Sequence, residues 1–212
     1  CDEGRLSYTN ESANRFETPL VEKNETNVDN TITNMFKELS TNKNILFVLS
    51  ANLSIEEMQN VKNLASKLNV DVSGYSPNTF DESFADDYLR TNDRTANRAA
   101  FKELQIDESK EYFDEKLNKA SLVIIVENSY FENNANLLEN KKVISLFSHH
   151  CMTIGYSNVA IPVASFYEKS GTYININGIK QKVISKMNKN NPMQSITTVI
   201  EDLKSMIEKG TV

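Results

Sequence analysis

Apolar residues along this chain follow two rhythms. Three short runs, NILFVLS (44–50), SLVIIV (121–126) and KVISLF (142–147), are almost wholly hydrophobic and bounded by polar residues. That is the pattern of strands covered on both faces. NVAIPV (158–163) is a fourth, shorter run and VDVSG (70–74) a further candidate. Elsewhere the spacing is helical. Ile32, Met35, Phe36 and Leu39 form one stripe, and Ile55, Met58, Val61, Leu64, Ala65 and Leu68 a second. Ile196, Val199, Ile200, Leu203, Met206 and Ile207 form a third, in a helix predicted over 192–208 with Pro192 at its first position. Ser54 followed by Glu57 is a capping-box signature. Ser109 reads as the N-cap of a helix through Leu117, and shorter helices are predicted near 96–104 and in NNANLLEN (133–140).

Strands alternating with helices predict an α/β fold: an open, mainly parallel sheet with helices on both faces. A single domain over 28–212 accommodates all of these elements. Residues 1–27 are polar and irregular and read as a connector, and residues 74–108 are turn-rich. GTYININGIKQKVI (171–184) alternates in places and carries Asn177-Gly178, so the segment 165–184 reads as extended, with a hairpin. In it, Gly171 and Gly178 are expected at turns with φ > 0, and Asn175 to satisfy loop backbone groups. Glu168 is expected to form an ion-pair network with Lys169 and Lys180 at the sheet's edge.

Composition narrows the chemistry. Among 212 residues, 23 basic and 29 acidic side chains give a net charge of −6. No long basic run favours nucleic acid, and the apolar runs are too short to span a bilayer. Two cysteines, Cys1 and Cys151, are too few for a disulfide scaffold and fit a reducing compartment. Neither GxGxxG nor a Walker A loop occurs, so a standard phosphate cradle is not expected. The absence of GxSxG, with both histidines in one loop, gives a serine triad no support. SHHC (148–151) offers His149, His150 and Cys151 as metal ligands. Adjacent ligands do not readily converge on one ion, however, and a polar loop after a strand is the plainer reading. Cys1, followed by an acidic residue, also suits a lipid anchor on a non-redox α/β binding module.

Several segments, in order, carry a resemblance. In CDEGRLSYTNES (1–12), the residues Cys1, Asp2, Gly4, Arg5 and Tyr8 match a run that closes a small [4Fe–4S] module. RFETPLVEKN (15–24) resembles the connector that follows this module, and residues 29–68 the helix–strand–helix after it. In 86–106, Asp93, Asn97, Ala99, Ala100, Leu104 and Ile106 match. The most specific block is VAIPVASFYEKSGTYININGIKQKV (159–183). There Pro162, Ala164, Ser165, Phe166, Glu168, Gly171, Thr172, Asn175, Gly178 and Gln181 all match. Together these segments resemble the G subunit of bacterial NADH–quinone oxidoreductase (complex I), within the molybdopterin oxidoreductase superfamily.

The resemblance implies an electron-transfer or structural role without molybdopterin. Cys1 would be the last of four [4Fe–4S] ligands, the other three lying upstream, and the chain a carboxy-terminal portion starting at that ligand. Residues 1–27 would then be the end of the cluster module plus its connector, with Arg5 offsetting cluster charge. The partners would be other subunits of an NADH-oxidising complex, in the cytoplasm or peripheral on the inner membrane's cytoplasmic face. Two departures stand out. Ile179 replaces the family's arginine, and the chain is far shorter than a complete molybdopterin enzyme, with room for about one α/β half. The alternative within the superfamily is a compact molybdopterin-dependent oxidoreductase. Its pterin-dinucleotide pocket would lie at the carboxyl ends of the strands, near Ser50, Asn52, Glu127 and His149.

Overall fold

The structure, a computed structural model, describes residues 11–88, 90–185 and 193–210. The apolar runs form strands β3 (Ile45–Leu49), β5 (Leu122–Val126), β6 (Lys142–Phe147) and β7 (Val159–Pro162). All five residues of β3 and of β5 are buried. With β4 (Asp71–Ser73) they form the parallel body of the sheet, in the order β4-β3-β5-β6-β7. The expected α/β class, with an open and mainly parallel sheet, is what the structure has.

Alternation along the strands splits the core in two. Phe47, Leu49, Ile124 and Ile144 point to one face. There α1 (Val28–Thr41), α2 (Ile55–Leu68) and α6 (Ile196–Lys209) pack on them and on one another. Leu46, Val48, Val123 and Ile125 point to the other, covered by α4 (Lys110–Lys119), α5 (Met152–Tyr156) and the fully buried Phe16 and Phe131. A short helix, α3 (Ala99–Glu103), and a separate hairpin of β8 (Gly171–Ile174) and β9 (Lys180–Val183) complete the body.

Several elements differ from the sequence expectation. Within the residues read as a connector, β1 (Leu20–Val21) and β2 (Asn24–Glu25) extend the sheet. Leu20 lies opposite Ala160, antiparallel to β7, so this segment uses the edge that β7 would otherwise leave open. The C-terminal helix starts at Ile196, because the Ser195 hydroxyl accepts the Thr198 N–H as an N-cap. Pro192 lies outside the described residues. The Ser109 hydroxyl caps nothing, since it donates to Asp107, and 133–140 holds only a 3-10 turn, Ala135–Leu138. Among the described residues, no helix is long and apolar enough to cross a membrane.

Candidate functional site

From β3 the chain steps outward to β4 on one side, and β5 then returns on the other. The order therefore reverses between β3 and β5, and the crevice beyond their carboxyl ends is where open α/β sheets place ligands. A cleft of about 540 Å³ lies there, lined by Asn52, Arg94, Glu127, His149, Tyr167 and Lys169 among others.

Each loop at the rim is pinned by hydrogen bonds. The Ser50 hydroxyl accepts the Asn52 N–H at 3.1 Å, and the Asn52 side-chain Oδ1 accepts the Ala96 N–H at 2.9 Å. Asn97, fully buried, donates to the Leu53 carbonyl at 2.7 Å and accepts from the Ile174 N–H at 2.7 Å, tying the β3–α2 loop to β8. Asn128 donates to the carbonyls of Leu49 and Tyr75. Glu127 sits in the left-handed region at φ 53°, a strained setting for a residue with a Cβ. Its carboxylate accepts the Ser148 N–H at 2.6 Å. Burial raises its pKa above the ordinary 4.5, with the nearby Lys169 charge and Ser148 opposing. The His149 Nε2–H donates to the Glu11 carbonyl at 3.1 Å, and Nδ1 lies 2.9 Å from the Ser148 hydroxyl.

Behind the cleft is the amino terminus of α2. In a doubly wound fold this is where backbone N–H groups and the helix dipole take a dinucleotide's phosphates. Here that position holds the protein's own carboxylates. Glu57, buried, accepts the Ser54 N–H at 2.9 Å and the Ser54 hydroxyl at 3.1 Å, while its own N–H donates to Ser54 Oγ, so the capping box is complete. Lys169, equally enclosed, lies 2.9 Å from Glu57. The Glu56 carboxylate accepts the Thr172 N–H at 2.8 Å and its hydroxyl at 2.6 Å. Burial works against ionisation of Glu56, but the Thr172 hydrogen bonds outweigh it and hold the carboxyl below its usual value. Strand β8 closes over the top: a Cβ on Gly171 would lie 2.3 Å from Ser54 Cβ. An anion approaching this helix terminus would meet two carboxylates and a strand.

Glu168 pairs with Arg15 at 2.6 Å and caps the Ser165 N–H at 2.7 Å. It forms no network with Lys169 and Lys180, because those lysines reach Glu57 and Glu103 instead. Gly171 does not adopt φ > 0; it is required by close approach to Ser54. Gly178 has φ 76°, and Asn175 Oδ1 accepts the N–H groups of Asn177 and Ile179, closing the hairpin turn. Pro162 ends β7 opposite Phe147, and Gln181 is exposed on β9 opposite Tyr173. His150 packs edge-on against Phe16 at 5.2 Å, away from His149's partners. Among the described residues no three His, Cys, Asp or Glu side chains gather to hold a metal ion. Burial raises the Cys151 thiol to about 11, so it stays protonated at neutral pH. Cys1 and Arg5 lie outside the described residues.

Asn52, Glu127 and His149 thus come together at the cleft, with Ser50 just beneath. Arg94, Tyr167 and Lys169 also line it, Lys169 meeting Glu57 in place of the expected Glu168. They arrive from the turn-rich loop and from the segment after β7, neither of which carries a periodic signal.

The fold and cleft define a doubly wound α/β domain with its crevice at the switch point. The family model for molybdopterin oxidoreductase matches residues 35–191, well over half of the chain, and the chain belongs to that family. No curated protein matches it. Among solved structures it is similar to a chain in the X-ray crystal structure of the formyltransferase/hydrolase complex from Methylorubrum extorquens with methylofuran. The identity is 10% and the TM-score 0.46, over 92% of this chain and 100% of that one.

Proposed function

We propose that this chain is a pterin-free structural domain of an iron–sulfur electron-transfer assembly of the NADH–quinone oxidoreductase type. One observation carries the pterin-free part: Glu56, Glu57 and β8 occupy the helix terminus where the cofactor's phosphates would be held. The Glu57–Lys169 pair supplies both anion and counter-charge internally, which supports a domain that keeps the family fold without its ligand. The iron–sulfur part rests on the resemblance at 1–12 and 159–183. On this reading Cys1 gives one thiolate to a [4Fe–4S] cluster whose other ligands are not in this chain. Iron clusters need thiolate ligands, and Arg5 lies close enough in sequence to offset their charge. The domain serves as a rigid body for contacts with other subunits, at a cytoplasmic or peripheral membrane location.

The test is electron paramagnetic resonance on the natural protein with its partner subunits. Cys1→Ala is expected to abolish or alter one [4Fe–4S] signal, with the others unchanged. An identical cluster spectrum in the variant overturns the ligand assignment. A second reading, a compact molybdopterin-dependent oxidoreductase, is favoured by the cleft's place at the switch point, and bound molybdenum and pterin in the purified protein would establish it.

A further inference from the structure

We infer that the outer edge of β9 docks an extended, acidic segment of a partner protein, which adds to the β8–β9 hairpin as a third strand. Among the described residues β9 pairs only with β8. The backbone groups along its other side are a template for a further strand. The edge is held in place from behind: Thr172 is bound to Glu56, and the Ile174 N–H to Asn97. A preorganised edge loses little entropy when a strand is added.

Two further features select the occupant. Ile176, Ile179 and Ile184 are 70%, 56% and 65% exposed and bracket β9 at both ends. Charge is also segregated: the described residues 170–185 contain two lysines and no aspartate or glutamate, in a chain of net charge −6. Lys180 and Lys182 lie on β9 itself and are exposed; Lys180 pairs with Glu103, but at such an exposed pair the ion pair is weak and a partner's carboxylate can exchange for it. Lysines on an edge strand ordinarily keep like edges apart, but exposed isoleucines contribute nothing to such protection. A strand alternating acidic and apolar residues would answer both features. A second copy of this chain would not, because two antiparallel β9 edges set lysine against lysine. Nucleic acid is disfavoured too: residues 170–200 hold no arginine, and their one aromatic residue, Tyr173, is buried.

The inference rests on the scaffold reading for the existence of a partner and names the surface that meets it. Its test is separate from the cluster spectrum, so either can fail alone. The intact chain is titrated, by fluorescence anisotropy, with a labelled peptide of about eight residues, the length of an ordinary strand, alternating Glu and Val. A Lys–Val peptide of the same length and phosphatidylserine vesicles serve as comparisons. The Glu–Val peptide is expected to bind, to slow hydrogen exchange at the amides of 180–183, and to weaken about tenfold when salt rises several-fold and shortens the Debye length. Lys182→Glu and Ile179→Ser, both at exposed positions, are each expected to weaken binding severalfold without changing the melting temperature. Three results overturn the inference: no binding, equal binding of both peptides, or binding that neither variant reduces. Vesicle binding without peptide binding also overturns it and assigns the surface to a membrane.

Discussion

Gly171→Ala tests how tightly β8 is seated on the amino terminus of α2. The added Cβ would lie 2.3 Å from Ser54 Cβ and 2.8 Å from Ser54 Oγ. Carbon atoms in contact prefer about 3.5–4.0 Å, so one element must move by roughly 1 Å. Neither is free to do so: Ser54 is fully buried and caps α2, and β8 is bound to Glu56 and Asn97. Overpacking of this kind costs about 1–3 kcal/mol, and a damaged N-cap adds about 1 kcal/mol. The expected loss is therefore about 2–4 kcal/mol, or a melting temperature lower by roughly 4–16 °C for a domain of this size. Gly155→Ala is the control. Gly155 lies in α5, where an added Cβ would meet nothing within 4 Å and φ is not positive, so alanine should be neutral or stabilising by up to about 1 kcal/mol. Urea titration followed by circular dichroism measures both. In a Ser54→Gly background the Gly171→Ala penalty should shrink by at least about 1 kcal/mol, since the clashing atoms are gone. A Gly171→Ala protein as stable as Gly155→Ala would refute the close-approach reasoning.

Three other outcomes are expected. Lys169→Met strands the buried Glu57 carboxylate and should cost about 3–5 kcal/mol in urea titration, most of it recovered by adding Glu57→Gln. Asn97→Ala leaves the Leu53 carbonyl and the Ile174 N–H buried without their partner and should cost about 2–4 kcal/mol by the same assay. Glu127 supplies a pH signature. Its folded pKa is raised above 4.5, so the stability it contributes is fully present below pH 4.5 and is lost as pH rises through the folded value. Glu127→Gln should therefore gain stability relative to the parent as pH climbs above 4.5, and a difference independent of pH would contradict the raised pKa.

The layered core was legible because burial on both faces imposes unbroken apolar runs, as in 45–49 and 122–126, and one-sided burial imposes the helical stripes of α1, α2 and α6. The Ser54–Glu57 box was equally local. Strands β1 and β2 were not legible, since two residues each carry no period, and what orders them is β7's free edge. Part of the cleft followed from one rule: residues just past a strand's carboxyl end face the crevice, which brought in Asn52, Glu127 and His149. Lys169 and Glu168 find Glu57 and Arg15 across 112 and 153 residues of sequence. No local pattern encodes those pairings, so proximity in sequence suggested the wrong partners. Gly171 shows the same limit. A glycine needed for close approach reads like one needed for a turn until its neighbour is known.

If Glu56, Glu57 and β8 close the helix terminus to a cofactor's phosphates, the protein carries no pterin. The most direct measurement is the pterin and molybdenum content of the intact protein purified from a host that makes the cofactor. Pterin is read by fluorescence after oxidative release, and molybdenum by mass spectrometry. Background levels of both are the expected result. Pterin and molybdenum recovered near one equivalent per chain would contradict it.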